Sequence, residues 1–157
     1  MVKMAKKKQI KPWKYVLIGV GATIGVLFLL IVIIGSIPFS EVLFDEVNTV
    51  NFNETLYYVF DAEEYDEIDV DFEVIEGGEV NLVLMNAAGF SDYMDKDTLM
   101  FDYIAAGTSY PVRAKTYTYE IRKSGSYYIV IDNADTLYGG AEPVDDVNVR
   151  LKVVRRY

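Results

Sequence analysis

The sequence contains no cysteine and no histidine, and each absence excludes a class of chemistry. Without cysteine there are no disulfides and no thiolate nucleophile, and without histidine there is no imidazole base. Both of the commonest zinc ligands are also missing. No GxSxG motif or phosphate-binding loop is present either. We therefore expect a protein that is not an enzyme and that needs no cofactor.

Acidic residues are absent before Glu41, and residues 15–37 carry no charged side chain at all. At a helical rise of about 1.5 Å per residue, roughly 20 apolar residues cross a hydrocarbon core of about 30 Å. Residues 15–37 are therefore predicted to form one transmembrane helix in contact with membrane lipid. A cleaved signal peptide is the alternative, but its apolar core is normally only about 7 to 15 residues long.

Positive charge before this apolar run sets the predicted orientation. Residues 1–14 hold six lysines, and lysine is retained on the cytoplasmic side of membranes. We expect a single-pass protein of the cell membrane with a basic cytoplasmic tail at 1–14, a linker at 38–54 and an extracytoplasmic domain at 55–157. The lack of disulfides fits an archaeal or bacterial cell surface, and we favour an archaeal one.

Glycines in the predicted span allow two interpretations. Gly21 and Gly25 form a small-xxx-small pair, which lets two membrane helices approach closely. Glycine is also simply common in membrane helices. The pair is thus a candidate helix-packing site for partners in a membrane complex, and a plain lipid anchor remains the other interpretation.

The part of the chain after Pro38 is strongly acidic. It holds all 24 acidic residues and nine basic ones, a net charge of −15. This charge opposes binding to nucleic acid or to an anionic membrane face. We therefore expect no nucleic-acid partner.

Alternation of apolar and polar residues predicts strands in this domain. Residues 68–74 and 147–153 alternate strictly, so each is expected to form a strand with one wet face. Residues 80–85 indicate a more buried strand, and residues 55–60 and 99–104 are weaker candidates. Residues 117–121 and 127–131 are predicted to pair as a hairpin, with Gly125 at a positive φ. Without a helical period, the expected fold is all-β: an antiparallel β-sandwich of about seven or eight strands, preceded by one transmembrane helix.

The order of these features resembles a known family. The relevant segments are Gly77-Gly78, the run from Val80 to Asn86 with Gly89 after it, the run from Tyr117 to Ile121, and the run from Ser124 to Asn133. This order is similar to the GOLD-type β-sandwich and to the pre-peptidase C-terminal sandwiches of bacteria and archaea. The resemblance implies a protein-binding or carbohydrate-binding module without catalytic activity. The chain departs from the GOLD domains of trafficking receptors, which have a C-terminal membrane helix and a cysteine pair.

Acidic residues are densest between Asp61 and Glu73, where eight fall within thirteen residues. Calcium prefers several oxygen ligands, so Asp66, Glu67 and Asp69 are candidate ligands for it. The alternative is that these carboxylates occupy a solvated loop and then the wet face of the strand at 68–74. Asp132 and Asn133 with Asp135, and the pair Asp145 and Asp146, are interpreted as turn formers rather than as metal ligands.

Tyrosines supply the candidate binding residues. Tyr93, Tyr110 and Tyr138 lie in predicted loops, and tyrosine is favoured at recognition surfaces. Asn53 begins an Asn-Glu-Thr glycosylation sequon on the predicted outer side.

Three functional hypotheses follow from the sequence. The first is a membrane-anchored module that binds an envelope protein or a glycan. The second is an accessory subunit of a larger membrane protein complex. The third is a membrane-tethered hydrolase, which would need two carboxylates at a defined separation across a cleft.

Overall fold

The computed structural model describes residues 39–95, 100–134 and 140–157, all within one compact unit, Phe39–Tyr157. This unit contains strands, one short α-helix and one turn of 3-10 helix. In chain order the elements are β1 Ser40–Val50, β2 Glu54–Ala62, β3 Glu67–Glu76, β4 Val80–Asn86, α1 Ala87–Met94, the 3-10 turn Ala105–Gly107, β5 Ser109–Val112, β6 Ala114–Glu120, β7 Gly125–Asn133 and β8 Val147–Arg156.

The strands form two four-stranded sheets in which every neighbouring pair is antiparallel. Sheet A has the order β1-β8-β3-β6, and sheet B has the order β2-β7-β4-β5. The prediction of an antiparallel all-β domain is therefore confirmed. The strands predicted at 68–74, 80–85 and 147–153 correspond to β3, β4 and β8.

The main hydrophobic core lies between the two sheets. Alternate residues of β3 and β8 face inward from sheet A, as the period of two predicts, and alternate residues of β4 and β7 face them from sheet B. Phe72 and Leu151, which pair across β3 and β8, are almost completely buried. This core fixes which face of sheet B points outward.

The linker expected at 38–54 is largely a strand. Residues Ser40–Val50 form β1, which pairs with β8 along its whole length. A register shift between Val42 and Phe44 interrupts the alternation of side chains. Because of that irregularity and of the three acidic residues among its eleven, the sequence of β1 does not alternate regularly between apolar and polar residues, and the strand was not predicted.

The hairpin expected between residues 117–121 and 127–131 does not form. β6 pairs with β3 in sheet A, whereas β7 pairs with β2 and β4 in sheet B. Inward-facing rings on both strands fill the same core from opposite sides, so their pattern resembles that of a hairpin. Gly125 does have a positive φ (156°), but it begins β7 after the chain has crossed between sheets.

Two local predictions on one side of sheet B are also corrected. Helix α1 follows β4 directly, although the sequence shows no clear helical period there. Residues 100–104, part of the weak strand candidate at 99–104, are not a strand. A helix of eight residues is too short to establish a periodic pattern.

The predicted membrane helix at 15–37, with Gly21 and Gly25, lies outside the described residues. Among the residues that are described, no helix is long and apolar enough to cross a membrane.

Candidate binding surface

The outer face of sheet B carries a second, smaller apolar cluster. Because side chains alternate along a strand, β4 turns Val83 and Met85 to this face and β7 turns Tyr128 and Val130 to it. In register, Val83 pairs with Val130 and Met85 with Tyr128. These residues form an apolar floor against which other parts of the chain pack.

Helix α1 and residues 100–104 pack against this floor. Asn86 caps the helix, since its side-chain oxygen accepts a hydrogen bond from the Gly89 backbone N–H at 2.9 Å. Gly89 lies directly against the Asp102 backbone, where no side chain fits. The Ile104 N–H donates to the Leu84 carbonyl at 2.7 Å, which ties this segment to β4.

Aromatic rings form two contiguous groups on this face. In the first, Phe90 of α1 stacks on Tyr128 with centroids 4.0 Å apart, and Tyr57 of β2 lies 4.9 Å from Phe90. In the second, the Phe101 ring centroid lies 4.9 Å from that of Tyr93 and 5.9 Å from that of Tyr103. The Tyr103 centroid lies 6.3 Å from that of Tyr110. We call this second group the aromatic row.

The aromatic row borders an open pocket of about 310 Å³, lined by Met100, Phe101, Tyr103 and Tyr110. Met100 is 83% exposed and Tyr103 is 52% exposed. Large side chains this exposed, on a segment fixed against a rigid sheet, form a contact surface that needs little ordering on binding.

A buried carboxylate lies beneath the row. Asp132 is 1% exposed and accepts hydrogen bonds from the Tyr93 hydroxyl at 2.5 Å and the Thr55 hydroxyl at 2.9 Å. The Ala134 N–H donates to the same carboxylate at 3.1 Å. Burial raises the pKa of Asp132, and these hydrogen bonds offset part of the rise.

The negative charge of Asp132 also acts on Tyr110, which lines the pocket. Burial raises the pKa of the Tyr110 hydroxyl, and the charges of Tyr103 and Asp132 raise it further. Tyr110 is therefore a neutral phenol at physiological pH. In sheet B, Asn81 of β4 lies opposite Asp132 of β7, and β5, which carries Tyr110, pairs with the other side of β4.

The structure brings two of the three candidate binding tyrosines together. Tyr93 and Tyr110, predicted from their loop positions, both belong to the aromatic row, although Tyr93 is in α1 and Tyr110 is in β5. Tyr138 lies outside the described residues.

The three candidate calcium ligands do not converge. Asp66 is buried and its carboxylate accepts the Glu63 N–H at 2.9 Å within a turn. Glu67 and Asp69 point outward from sheet A and pair with Arg156, at 3.2 and 2.7 Å. Within residues 39–95, 100–134 and 140–157, no group of three acidic side chains is arranged to hold a metal ion.

The sequon lies at an exposed turn between β1 and β2. Asn53 has a left-handed backbone with φ of 63°, and its N–H donates to the Asn133 carbonyl at 2.9 Å. Thr55, the third sequon residue, donates its hydroxyl to Asp132. That hydrogen bond gives Thr55 a structural role whether or not Asn53 is glycosylated.

Sequence reasoning missed Asp132, Phe101 and Tyr103. The interpretation of Asp132 and Asn133 as turn formers is incomplete. Both are buried at the end of β7, and Asp132 also accepts the Ala134 N–H, two residues on, as a turn former does. A signal was present, since Tyr128, Val130 and Asp132 alternate along one strand and so share a face. Phe101 and Tyr103 gave no comparable signal in a segment without regular structure.

Comparison with known proteins gives distant structural likeness and no sequence match. No protein-family model matches the chain, and no curated protein sequence matches it. The chain is similar to the crystal structure of Aeromonas hydrophila PliG, a periplasmic lysozyme inhibitor of g-type lysozyme. The two are 14% identical, with 75% of this chain and 87% of that chain covered and a TM-score of 0.43. A likeness of this size does not extend to function, and the resemblance to GOLD-type or pre-peptidase C-terminal sandwiches stays a prediction.

Proposed function

We propose that this protein is a membrane-anchored, extracytoplasmic binding module without catalytic activity. In this proposal the helix predicted at 15–37 is the anchor, the N-terminus is cytoplasmic, and the domain Phe39–Tyr157 binds an envelope partner. The single observation that carries it is the aromatic row, with the exposed Met100 beside it, on the outer face of sheet B.

The composition of this surface supports a binding role. Tyrosine, phenylalanine and methionine are the residue types enriched at the centres of protein interfaces, where a few buried rings supply most of the binding energy. An exposed ring or methionine found alone is ordinary, but contiguous exposed ones indicate an interaction site. Here they border one pocket.

Photocrosslinking in native membranes tests the proposal. Tyr103 is replaced by the photoreactive residue p-benzoylphenylalanine in the full-length protein, the cells are irradiated, and adducts are identified by mass spectrometry. Tyr65 provides the matched control, because it is also a strongly exposed tyrosine (73%) but lies in the loop between β2 and β3.

We expect one discrete, saturable adduct from the Tyr103 position and none from the Tyr65 position. Mass spectrometry of that adduct identifies the partner as a protein or a glycan. If the Tyr65 position gives the same adduct with equal yield, or neither position gives an adduct, the aromatic row is not the binding surface and the proposal fails.

A further inference from the structure

Asp132 presents an unusual electrostatic situation for a buried side chain. Its three hydrogen-bond donors, the hydroxyls of Tyr93 and Thr55 and the N–H of Ala134, are all neutral. In the part of the chain that the structure describes, no lysine or arginine forms an ion pair with it. A buried carboxylate without a cation is costly to ionise, so a positive charge placed near it is strongly favoured.

The pocket at the aromatic row has the ring geometry that suits a cation. Tyr93 meets Phe101 at 83° and Tyr103 meets Tyr110 at 87°, so the rings form walls at right angles to one another. Each ring face is negative at its centre and attracts a lysine or arginine side chain that lies over it. The buried carboxylate is linked to the pocket wall through Tyr93, whose hydroxyl donates to it and whose ring contacts Phe101, and its charge acts on Tyr110.

Acidic residues around the pocket also favour a bound cation. Asp92 precedes Tyr93, and Asp102 lies between Phe101 and Tyr103; both are exposed. The domain as a whole is strongly acidic, with 24 acidic and nine basic residues. Such a field concentrates cations and repels acidic glycans.

We propose that the pocket binds a lysine or arginine side chain of a protein partner, with Phe101, Tyr103 and Tyr110 around the cation and Asp132 compensating its charge. This inference rests on the proposed function and narrows the partner from a protein or glycan to a protein with an exposed basic side chain. A neutral glycan would leave Asp132 uncompensated. The pocket is open and adjoins the exposed Met100, so the backbone that carries the cation can contact the surface around it.

The test uses a matched pair of small probes and a reporter in the pocket wall. The probes are N-acetyl-arginine methylamide and N-acetyl-citrulline methylamide, which have nearly the same shape but differ in charge. The reporter is the methyl group of Met100 in full-length protein labelled with ¹³C at its methionine methyls, in detergent at about pH 8. The Met100→Leu variant assigns the signal.

We expect the arginine probe to shift the Met100 signal saturably, with a dissociation constant in the millimolar range, and the citrulline probe to bind about tenfold more weakly. Asp132→Asn keeps a side-chain oxygen for Thr55 and Ala134, and its amide N–H can donate to the Tyr93 hydroxyl oxygen in place of the bond that Tyr93 donates in the wild type. This variant is expected to weaken arginine binding roughly three- to tenfold. Asp69→Asn, which removes an equal charge from the outer face of sheet A, is the control and should leave binding unchanged.

Equal binding of both probes overturns the inference, and so does undiminished arginine binding in Asp132→Asn. If Asp132→Asn does not fold, Tyr103→Leu replaces it, because that ring is half exposed and its loss should abolish selectivity for arginine without unfolding the domain. Loss of cation selectivity while the Tyr103 crosslink persists would overturn this inference alone and leave the proposed function standing.

Discussion

Replacing Gly89 by alanine tests how the candidate surface is held in place. A β-carbon at Gly89 would lie 2.0 Å from the Asp102 carbonyl oxygen and 3.3 Å from the Met85 β-carbon. Since carbon and oxygen atoms in such contacts stay about 3.3 Å apart, the oxygen would have to move by more than 1 Å. The obstacle is backbone, and it is tied to β4 by the 2.7 Å hydrogen bond from the Ile104 N–H to Leu84.

Two opposing effects decide the magnitude for Gly89→Ala. Alanine is a better helix former than glycine by about 1 kcal/mol, which favours the variant. Overpacking of a fixed contact costs about 1 to 3 kcal/mol, and a clash with backbone belongs at the upper end of that range. We therefore expect the free energy of unfolding to fall by about 1 to 2 kcal/mol.

Urea unfolding of residues 39–157, followed by circular dichroism, measures this change. Gly78→Ala is the control, because nothing lies within 4 Å of a β-carbon there. The control should change stability by no more than about 0.5 kcal/mol. An increase in stability for Gly89→Ala would mean that only helix propensity changed, and it would refute the packing of residues 100–104 against α1.

Three further predictions concern other parts of the chain. Asn133→Ala removes an amide that donates to the carbonyls of Val50, Asn51 and Asp145, so urea unfolding should show a loss of about 2 to 3 kcal/mol; a loss below about 1 kcal/mol would contradict this. Burial opposes ionisation of Asp69, but hydrogen bonds from Thr118 and Arg156 lower its pKa overall. Its stabilising effect is therefore present above the unfolded carboxyl's pKa of 3.8 and lost as the pH falls below that value. Thermal unfolding of the wild type and Asp69→Asn should differ at neutral pH and converge in acid, and a constant difference would refute the ion pair. If the predicted span is a plain anchor, Gly21→Leu should leave every co-purifying partner in place, whereas loss of a stoichiometric partner would favour the membrane-complex hypothesis.

Regular alternation made two strands predictable, and an apolar run made a third predictable. In β3 and β8, one face contacts the core and the other faces water, so apolar residues mark the buried face and polar residues mark the exposed face. β4 is apolar on both faces because the main core covers one face and α1 covers the other. Its apolar run, broken at Asn81, was correctly interpreted as a more buried strand.

Pairing between strands was not predictable in the same way. A side-chain pattern tells which face of a strand is buried but not which strand lies beside it, and β6 and β7 show the consequence. The candidate surface combines Tyr93 from α1, Phe101 from an irregular segment, Tyr110 from β5 and Asp132 from β7. Of these, only Tyr93 and Tyr110 were predicted from the sequence as binding residues, because that prediction used residue type and loop position and not the spatial neighbours of each residue.

The position of β8 has a consequence for how this domain is made. β8 is an inner strand of sheet A, paired with both β1 and β3, although among the described strands it comes last in the sequence and β1 comes first. During synthesis β1 therefore stays without β8, its neighbour in the sheet as described, until residues 147–156 leave the ribosome. Contacts so distant in sequence also slow folding, because a long loop must close before they form. Sheet A thus assembles after translation of β8, and the nascent domain exposes an unpaired strand that a chaperone can bind.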